Sequence, residues 1–574
     1  MRSLFVLVTI AWAAAPAASQ PADLVFTNGR IVTVDAELPE AEALAVVGDR
    51  IAAVGRAAEI ERWISAGTTV IDLGGKLAIP GFVEGHAHFL GVGDAKMQLD
   101  LNRVASWDEI IELVSGAVRT TPPGTLIRGR GWHQSKWDSV PEPNVLGVPT
   151  YRALSAVSPD HPVVLTHASG HAVFANARAM EMSGVDRDTP DPSGGEVVRD
   201  AYGEPIGMFR ETASSLLGPA YAQAVPPSMR RQAELAAREC VAKGITTFQD
   251  AGSSFAAIDL FKEMVDEGAM PLRMWVMLRE SNARLAARMN DYRFIDYADH
   301  RLTVRAVKRM IDGALGPHGA WLLAPYADLP SSEGLNTSDP AMIEETAALC
   351  AKNGFQLCVH AIGDRANREV LDLFERTFLA HPAASAEEAD RRWRVEHAQH
   401  LNPDDIPRFG ALGVVASMQA VHCTSDAVFV PERLGDERSR EGAYVWRSLL
   451  DSGAVVCNGT DAPVEDVDPL PSFAATVSRK VKDGSIFFPE QCLTREEALA
   501  SYTLAGAWAA FLEHDRGSLT VGKLADVVVL SRDILRCPAD EIEDAEVLMT
   551  FVGGKLVFAR AAATRAPTTG SGGR

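Results

Sequence analysis

The sequence predicts an α/β protein: a (β/α)8 barrel, a small β-domain built from both chain ends, and a large insertion over the barrel mouth. Three observations carry this. Between Pro80 and Asp461, short β-rich runs alternate with helical patterns, as a parallel sheet with crossover helices requires. Eight such runs end near His86-Ala87-His88, Gln249-Asp250, Leu278, Asp312, His360-Ala361, His397, Gln419 and Thr460-Asp461, the number a closed barrel needs. The two ends of the chain, by contrast, read as hairpins with no helical pattern between their strands.

In chain order, Arg2 precedes an apolar run from Leu4 to Ala15, about 12 residues long and too short to span a bilayer. Ala17-Ala18-Ser19 then places small side chains at a cleavage site, so residues 1–19 are expected to be a signal peptide and the mature chain to be periplasmic or secreted. The competing reading is a buried N-terminal strand. Asp23 to Asp35 alternates about Asn28-Gly29 and Glu42 to Gly55 about Gly48-Asp49, two hairpin patterns. Leu524 to Leu530 is a strand, and Val547 to Phe558 folds about Gly553-Gly554. Isolated hairpins are marginal, so residues 20–79 and 515–560 are expected to pair into one unit, with a barrel over 80–514 inserted between them. About 140 residues, rich in Pro, Gly and Trp, separate the first barrel strand from Gly244-Ile245-Thr246-Thr247-Phe248, and about 92–230 is read as a cap on the barrel mouth. The Ala, Thr and Gly-rich tail, 561–574, has nothing to bury and is expected to be disordered.

Composition narrows the function. Of 574 residues, 47% are hydrophobic and 23% charged, the make-up of a soluble globular protein. A net charge of -21 with no basic block argues against contact with nucleic acid or anionic lipid. Seven scattered cysteines without C-x-x-C argue against a disulfide framework or zinc ribbon. The expected partner is a small-molecule substrate, with no membrane insertion and with a homodimer left open.

The chemistry begins at His86-Ala87-His88. In a strand the side-chain period is two, so both imidazoles share one face and can reach one metal. His360 ends the run from Phe355, His397 ends the run from Trp393, and Asp461 follows Ala454 to Thr460. Four strand ends offering His or Asp toward one axis point to a metal site. On Leu302 to Met310, parity places Lys308 with Leu302, Val304, Ala306 and Met310, facing into the barrel. A lone ammonium there is costly. Two readings follow: a salt bridge to a carboxylate, or N-carboxylation to a carbamate that bridges two metals.

His86-x-His88, Lys308 followed by Asp312-Gly313-Ala314-Leu315-Gly316, Val359-His360-Ala361-Ile362-Gly363-Asp364, Arg394-Val395-Glu396-His397-Ala398-Gln399 and Gly459-Thr460-Asp461-Ala462-Pro463 together resemble the amidohydrolase superfamily. The branch they are most similar to is amidohydrolase family 3, which includes N-substituted formamide deformylases. Ala505-Gly506-Ala507 and Gly517-Ser518-Leu519 through Asp526 resemble that family's C-terminal part. The resemblance implies a distorted (β/α)8 TIM barrel with a composite β-sandwich. It further implies that His86, His88 and Asp461 hold one metal, that His360 and His397 hold a second, and that carboxylated Lys308 bridges them. The cofactor implied is one or two divalent ions, Zn2+ first. The chain departs from the family at Gln419-Ala420-Val421-His422, where Gln-Pro-x-His is usual, at Thr460 in place of Ser, and at His133.

The expected reaction is hydrolysis of an amide-type C–N bond, of the N-substituted amide or formamide kind. Zinc lowers the pKa of bound water to about 7 and polarises the carbonyl. Asp461 serves as general base and then acid. His171 and His422 are candidates for hydrogen bonds to the substrate or developing oxyanion. Trp132, His133, Trp137, Trp321 and Gln419 are assigned to substrate contact, with Phe89 beside them. Cleavage of a lactone, ester or cyclic imide, or a non-catalytic exported metal-binding role, are the alternatives.

Overall fold

The structure, a computed structural model, describes residues 21–222 and 228–561. The expected signal peptide, 1–19, and the tail beyond residue 561 lie outside the described residues.

Eight parallel strands form the centre: β1 (Phe82–Ala87), β2 (Ile245–Ser253), β3 (Arg273–Leu278), β4 (Leu302–Met310), β5 (Gln356–Ala361), β6 (Arg394–His397), β7 (Val415–Met418) and β8 (Val456–Asn458). Each pairs with its successor in the chain, without a reversal. Strands covered on both faces need no polar side, and β3 is buried along its whole length. The sheet curls until β1 and β8 meet: Asp461 N donates to the His86 carbonyl and His88 N to the Ala462 carbonyl, both at 2.7 Å. This seam demands glycine. A Cβ on Gly85 would lie 2.4 Å from the Asn458 carbonyl oxygen, and one on Gly459 2.4 Å from His86 N. Outside the barrel, helix Phe255–Asp266 buries Ile258, Phe261, Met264 and Val265, and Asp364–Ala380 buries Val370, Leu371, Phe374 and Thr377, the stripes that a 3.6-residue period lays on one face.

The strands of both chain ends pair with each other. Val527–Leu530 lies antiparallel to Leu77–Pro80, which in turn pairs with Arg30–Val32. A four-stranded sheet containing Leu24–Thr27 and the Ala43–Val47 and Arg50–Gly55 hairpin faces this six-stranded one, and Phe26 meets Phe551 edge-on with ring centroids 4.9 Å apart. The hairpin expected about Asn28-Gly29 does not form. Leu24–Thr27 and Arg30–Val32 belong to different sheets, because Asn28, at φ 57, turns the chain across rather than back. The turn is clasped by residues 72–76: Asn28 Nδ2 donates to Asp72 Oδ1 at 2.7 Å and Gly75 N to the Asn28 carbonyl at 2.7 Å.

Between β1 and β2 a separate six-stranded sheet spans Leu99–Asp100 to Pro205–Glu211, over an apolar core of its own that includes Trp107, Trp132 and Phe174. Among the described residues no helix is long and apolar enough to cross a membrane.

Candidate metal centre

Along β1, Glu84 and His86 face the barrel axis, as the period of two requires. Glu84 is a clasp across the seam. It accepts from His86 N (3.0 Å), Thr460 N (2.8 Å) and the Thr460 hydroxyl (2.9 Å), while burial pushes its carboxyl up to about 7. His86 is fully buried and pairs through Nδ1 with Glu396 Oε2; burial and Lys308 disfavour its charged form, but Glu396 and Asp461 outweigh them and raise its pKa, so in the absence of a cation Nε2 shares a proton with Asp461. That nitrogen lies 3.4 Å from Asp461 Oδ1, and His88 Nε2 lies 3.2 Å from the same oxygen. Neither His86 Nε2 nor Asp461 Oδ1 has a hydrogen-bond partner among the described residues. A buried imidazole nitrogen facing a buried carboxylate oxygen needs a proton or a cation between them.

His397 completes the group. Its Nδ1 donates to Gln419 Oε1 at 2.6 Å, so its Nε2 is also free to coordinate. One ligand atom from each of His86, His397 and Asp461 lies within 4.8 Å of the others. The His360 ring stands 4.4 Å from that of His397, and its buried Nε2 has no hydrogen-bond partner among the described residues. The backbone is forced to make this set. Arg394 and Glu396 take the inward face of β6, so parity would send His397 outward; φ of 78 at His397 and 43 at Ala398 turns it back. Asp461 is likewise held at φ 55. Such conformations cost on the order of 1–3 kcal/mol each and persist where the surroundings over-determine them.

The electrostatics agree. Burial favours the neutral Asp461 carboxyl, but the imidazoles of His86, His88 and His397 outweigh it and hold the group well below the usual carboxylate range. Burial holds the His360 and His397 imidazoles neutral, as ligands must be. Lys308 points into the same cavity, and burial lowers its ammonium to about 8. It makes no ion pair with any described residue, so the salt bridge considered from the sequence is not formed.

A cavity of about 990 Å³ opens above this cluster, walled by the barrel and the inserted sheet together. His171 projects from the inserted sheet with Nδ1 2.8 Å from Glu211 Oε2 and its ring 5.4 Å from that of His360. His133 and His422 also line the cavity, His133 stacked on Phe429 at 5.3 Å. Four residues assigned to substrate contact are placed elsewhere. Trp132 is fully buried in the core of the inserted sheet, its indole N–H donating to the Leu165 carbonyl at 2.9 Å, and Trp137 stacks on it at 6.0 Å. An insertion this large needs its own core, and the aromatics supply it. Trp321 lies under the Arg365 guanidinium at 4.5 Å, off the cavity wall, and Gln419 is spent on orienting His397. Phe89 packs on Phe248 and Phe261 in the barrel core.

Sequence reasoning missed Glu84, Glu211, Arg394 and Glu396 as parts of the site. The signal for two of them was present: Arg394 and Glu396 share the inward parity of a strand whose end offers a ligand.

The amidohydrolase family model matches residues 69–558. Over 563 residues the chain is 34% identical to Protein LONG AFTER FAR-RED 3 of Arabidopsis thaliana, covering 95% of this chain and 93% of that one. It is 29% identical to the N-substituted formamide deformylase of Arthrobacter pascens over 556 residues, 94% of this chain and 99% of the other. Among solved structures, an uncharacterized metal-dependent hydrolase from Pyrococcus horikoshii superposes with a TM-score of 0.71 at 25% identity, covering 90% of this chain and 99% of that one.

Proposed function

The chain belongs to the amidohydrolase family of metal-dependent hydrolases, and from that premise we propose that it hydrolyses an amide-type C–N bond of the N-substituted amide or formamide class. The observation that carries the reading is the buried meeting of His86 Nε2 with Asp461 Oδ1 at 3.4 Å, neither with a hydrogen-bond partner among the described residues. His86, His88 and Asp461 are the residues that would hold a divalent ion, zinc in our assignment, with His360 and an N-carboxylated Lys308 serving a second; His397, given by the family resemblance to the second ion, groups by distance with His86 and Asp461 and would serve the first. Such an ion, when bound, lowers the pKa of water and polarises a carbonyl.

The chain's own residues do the rest. Asp461 takes the proton of the attacking water and returns it to the nitrogen as the C–N bond breaks. Glu396 and Gln419, on the far nitrogens of His86 and His397, hold the two imidazoles in the tautomer that leaves Nε2 available. His171, braced by Glu211, faces the cavity where charge develops on the substrate oxygen. The formamide class rests on the Arthrobacter relative.

The test is to strip the protein with chelator, restore Zn2+, and follow amine and acid release from N-substituted formamides and amides, with esters and lactones of the same acyl groups in parallel. Zinc-dependent amine release is expected. Turnover of esters and lactones alone, or turnover indifferent to metal, would overturn the assignment.

A further inference from the structure

Among the described residues, five lysine and arginine side chains border the cavity; Lys308 faces the ligand cluster, and three of the other four have partners in the protein. Lys136 faces Glu465 at 3.7 Å. Arg130 donates from Nε to the Pro463 carbonyl (2.8 Å) and from Nη2 to the Ala168 carbonyl (3.4 Å). Arg309 is spent on Thr346 Oγ1, the Lys308 carbonyl and Asn282 Oδ1, at 2.8, 3.0 and 2.7 Å. Arg279 is different. Among the described residues its guanidinium makes one hydrogen bond, from Nη2 to Met310 Sδ at 3.4 Å, and thioether sulfur is a weak acceptor.

No carboxylate lies within ion-pair distance of it among the described residues. Glu280, next in the chain, accepts from Phe255 N at 3.0 Å and pairs with Arg284 at 2.9 Å. Asp250 accepts from Phe89 N at 2.9 Å through Oδ1, and although its Oδ2 has no hydrogen-bond partner among the described residues, it acts on Arg279 only at longer range, without an ion pair. This is a chain with 76 acidic residues against 55 basic ones, so an arginine without an anion is not a shortage of carboxylates.

Arg279 is also built into place. It follows β3 directly, and its N–H donates to the Ser253 carbonyl at 2.9 Å. Its stem crosses Gly252, held at φ +124, where a Cβ would come within 3.1 Å of Arg279 Cδ and 3.2 Å of Lys308 Cβ. The missing side chain at 252 lets the two basic stems converge, so an exposed guanidinium fork stands on the cavity wall beside Lys308.

A planar fork with its donors free matches a carboxylate bidentately. We propose that Arg279 receives a carboxylate of the substrate, so that the amide cleaved belongs to an N-formyl or N-acyl amino acid rather than to a neutral N-alkyl amide. The inference rests on the amide-hydrolase reading above. Water adds across the C–N bond, the acyl group leaves as its carboxylic acid, and the amine product is a free amino acid.

The experiment compares N-formylglycine, N-formyl-β-alanine and N-formyl-γ-aminobutyrate, each beside its uncharged N-formyl-n-alkylamine of equal length, on zinc-loaded wild type, Arg279→Met and Arg279→Lys. In the wild type at least one carboxylated member should exceed its neutral partner tenfold or more in kcat/KM, chiefly through KM. Arg279→Met should collapse that ratio to near one, and Arg279→Lys should retain part of it. A wild type without the preference, or a preference that survives Arg279→Met, overturns the proposal. So does loss of zinc from Arg279→Met, which would make Arg279 a counter-charge of the ligand cluster. If no compound is hydrolysed, the reaction assignment fails, and calorimetric titration of the same pairs decides the anion site separately: binding of the carboxylated member that is no tighter than its partner, or equal in both proteins, refutes it.

Discussion

Replacing Glu396 with glutamine should weaken fold and metal site by amounts that can be separated. Glu396 and Arg394 are both fully buried, with Arg394 Nε 2.8 Å from Glu396 Oε1. Arg394 also donates to the Gly85 carbonyl at 2.6 Å and to Ser417 Oγ at 2.7 Å, while Glu396 Oε2 receives His86 Nδ1. Burial favours the neutral Glu396 carboxyl, but Arg394 and His86 override it and keep the group ionised across any practical assay pH. Glutamine keeps the shape and removes the charge. Arg394 is then buried without compensation, a loss of about 3–5 kcal/mol. His86 loses the carboxylate that orients it, for which about 10–100-fold in metal affinity is the usual price, or about 1.4–2.8 kcal/mol. Denaturation of the metal-free protein reads the first quantity, and competition for Zn2+ against a chromogenic chelator reads the second. The double variant Arg394→Met/Glu396→Gln removes the stranded charge, so it should regain most of the stability and none of the affinity. Wild-type zinc affinity in Glu396→Gln, or affinity restored in the double variant, would refute the role given to Glu396.

Asp461→Asn, measured at saturating zinc, should lower kcat by about 10²–10⁴-fold, the range for removing a positioned general base; a loss under tenfold would place the proton transfer elsewhere. Lys308→Ala should reduce bound metal by one ion per chain, with activity partly regained on adding short carboxylic acids that fill the vacated bridge; unchanged metal content in the variant would mean that Lys308 bridges no second ion. Asp526 grips the barrel through Arg273, accepting at 2.8 and 3.0 Å, both groups being buried. Burial raises the Asp526 pKa, but Arg273 outweighs it and the folded value lies below the ordinary one. The stabilisation is therefore complete above the unfolded pKa of about 3.9 and is lost as pH falls through the folded value. Asp526→Asn should cost about 3–5 kcal/mol at neutral pH, with the gap to wild type closing below about pH 4; denaturation curves showing a constant gap would count against the pair.

Much of the architecture was legible because it is written in short-range pattern. Eight β-rich runs separated by helical periods specify β1 to β8 in order, and the period of two puts His86 with Glu84 on the inner face of β1. The same rule fails at His397, where a left-handed backbone conformation that no neighbouring residue announces turns the side chain inward. It also fails at Asn28-Gly29, a dipeptide with strong hairpin chemistry, whose turn is clasped instead by residues 72–76. Trp132 and Trp137 have the composition of a pocket wall, and only the extent of the inserted sheet shows that they are needed as its core.

What the chain determines by itself is whatever depends on neighbours a few residues away: strand period, helix stripe, and which residue types stand at the strand ends. Which of those residues meet is a property of closure. Glu396 reaches His86 across 310 residues, and Thr460 reaches Glu84 across 376, through a seam that exists only once β8 has come round to β1. The tautomer of each imidazole, the idle guanidinium of Arg279 and the grouping of His397 with His86 and Asp461 all follow from that meeting, because hydrogen-bond partnership is set by distance in space and leaves no period in the sequence.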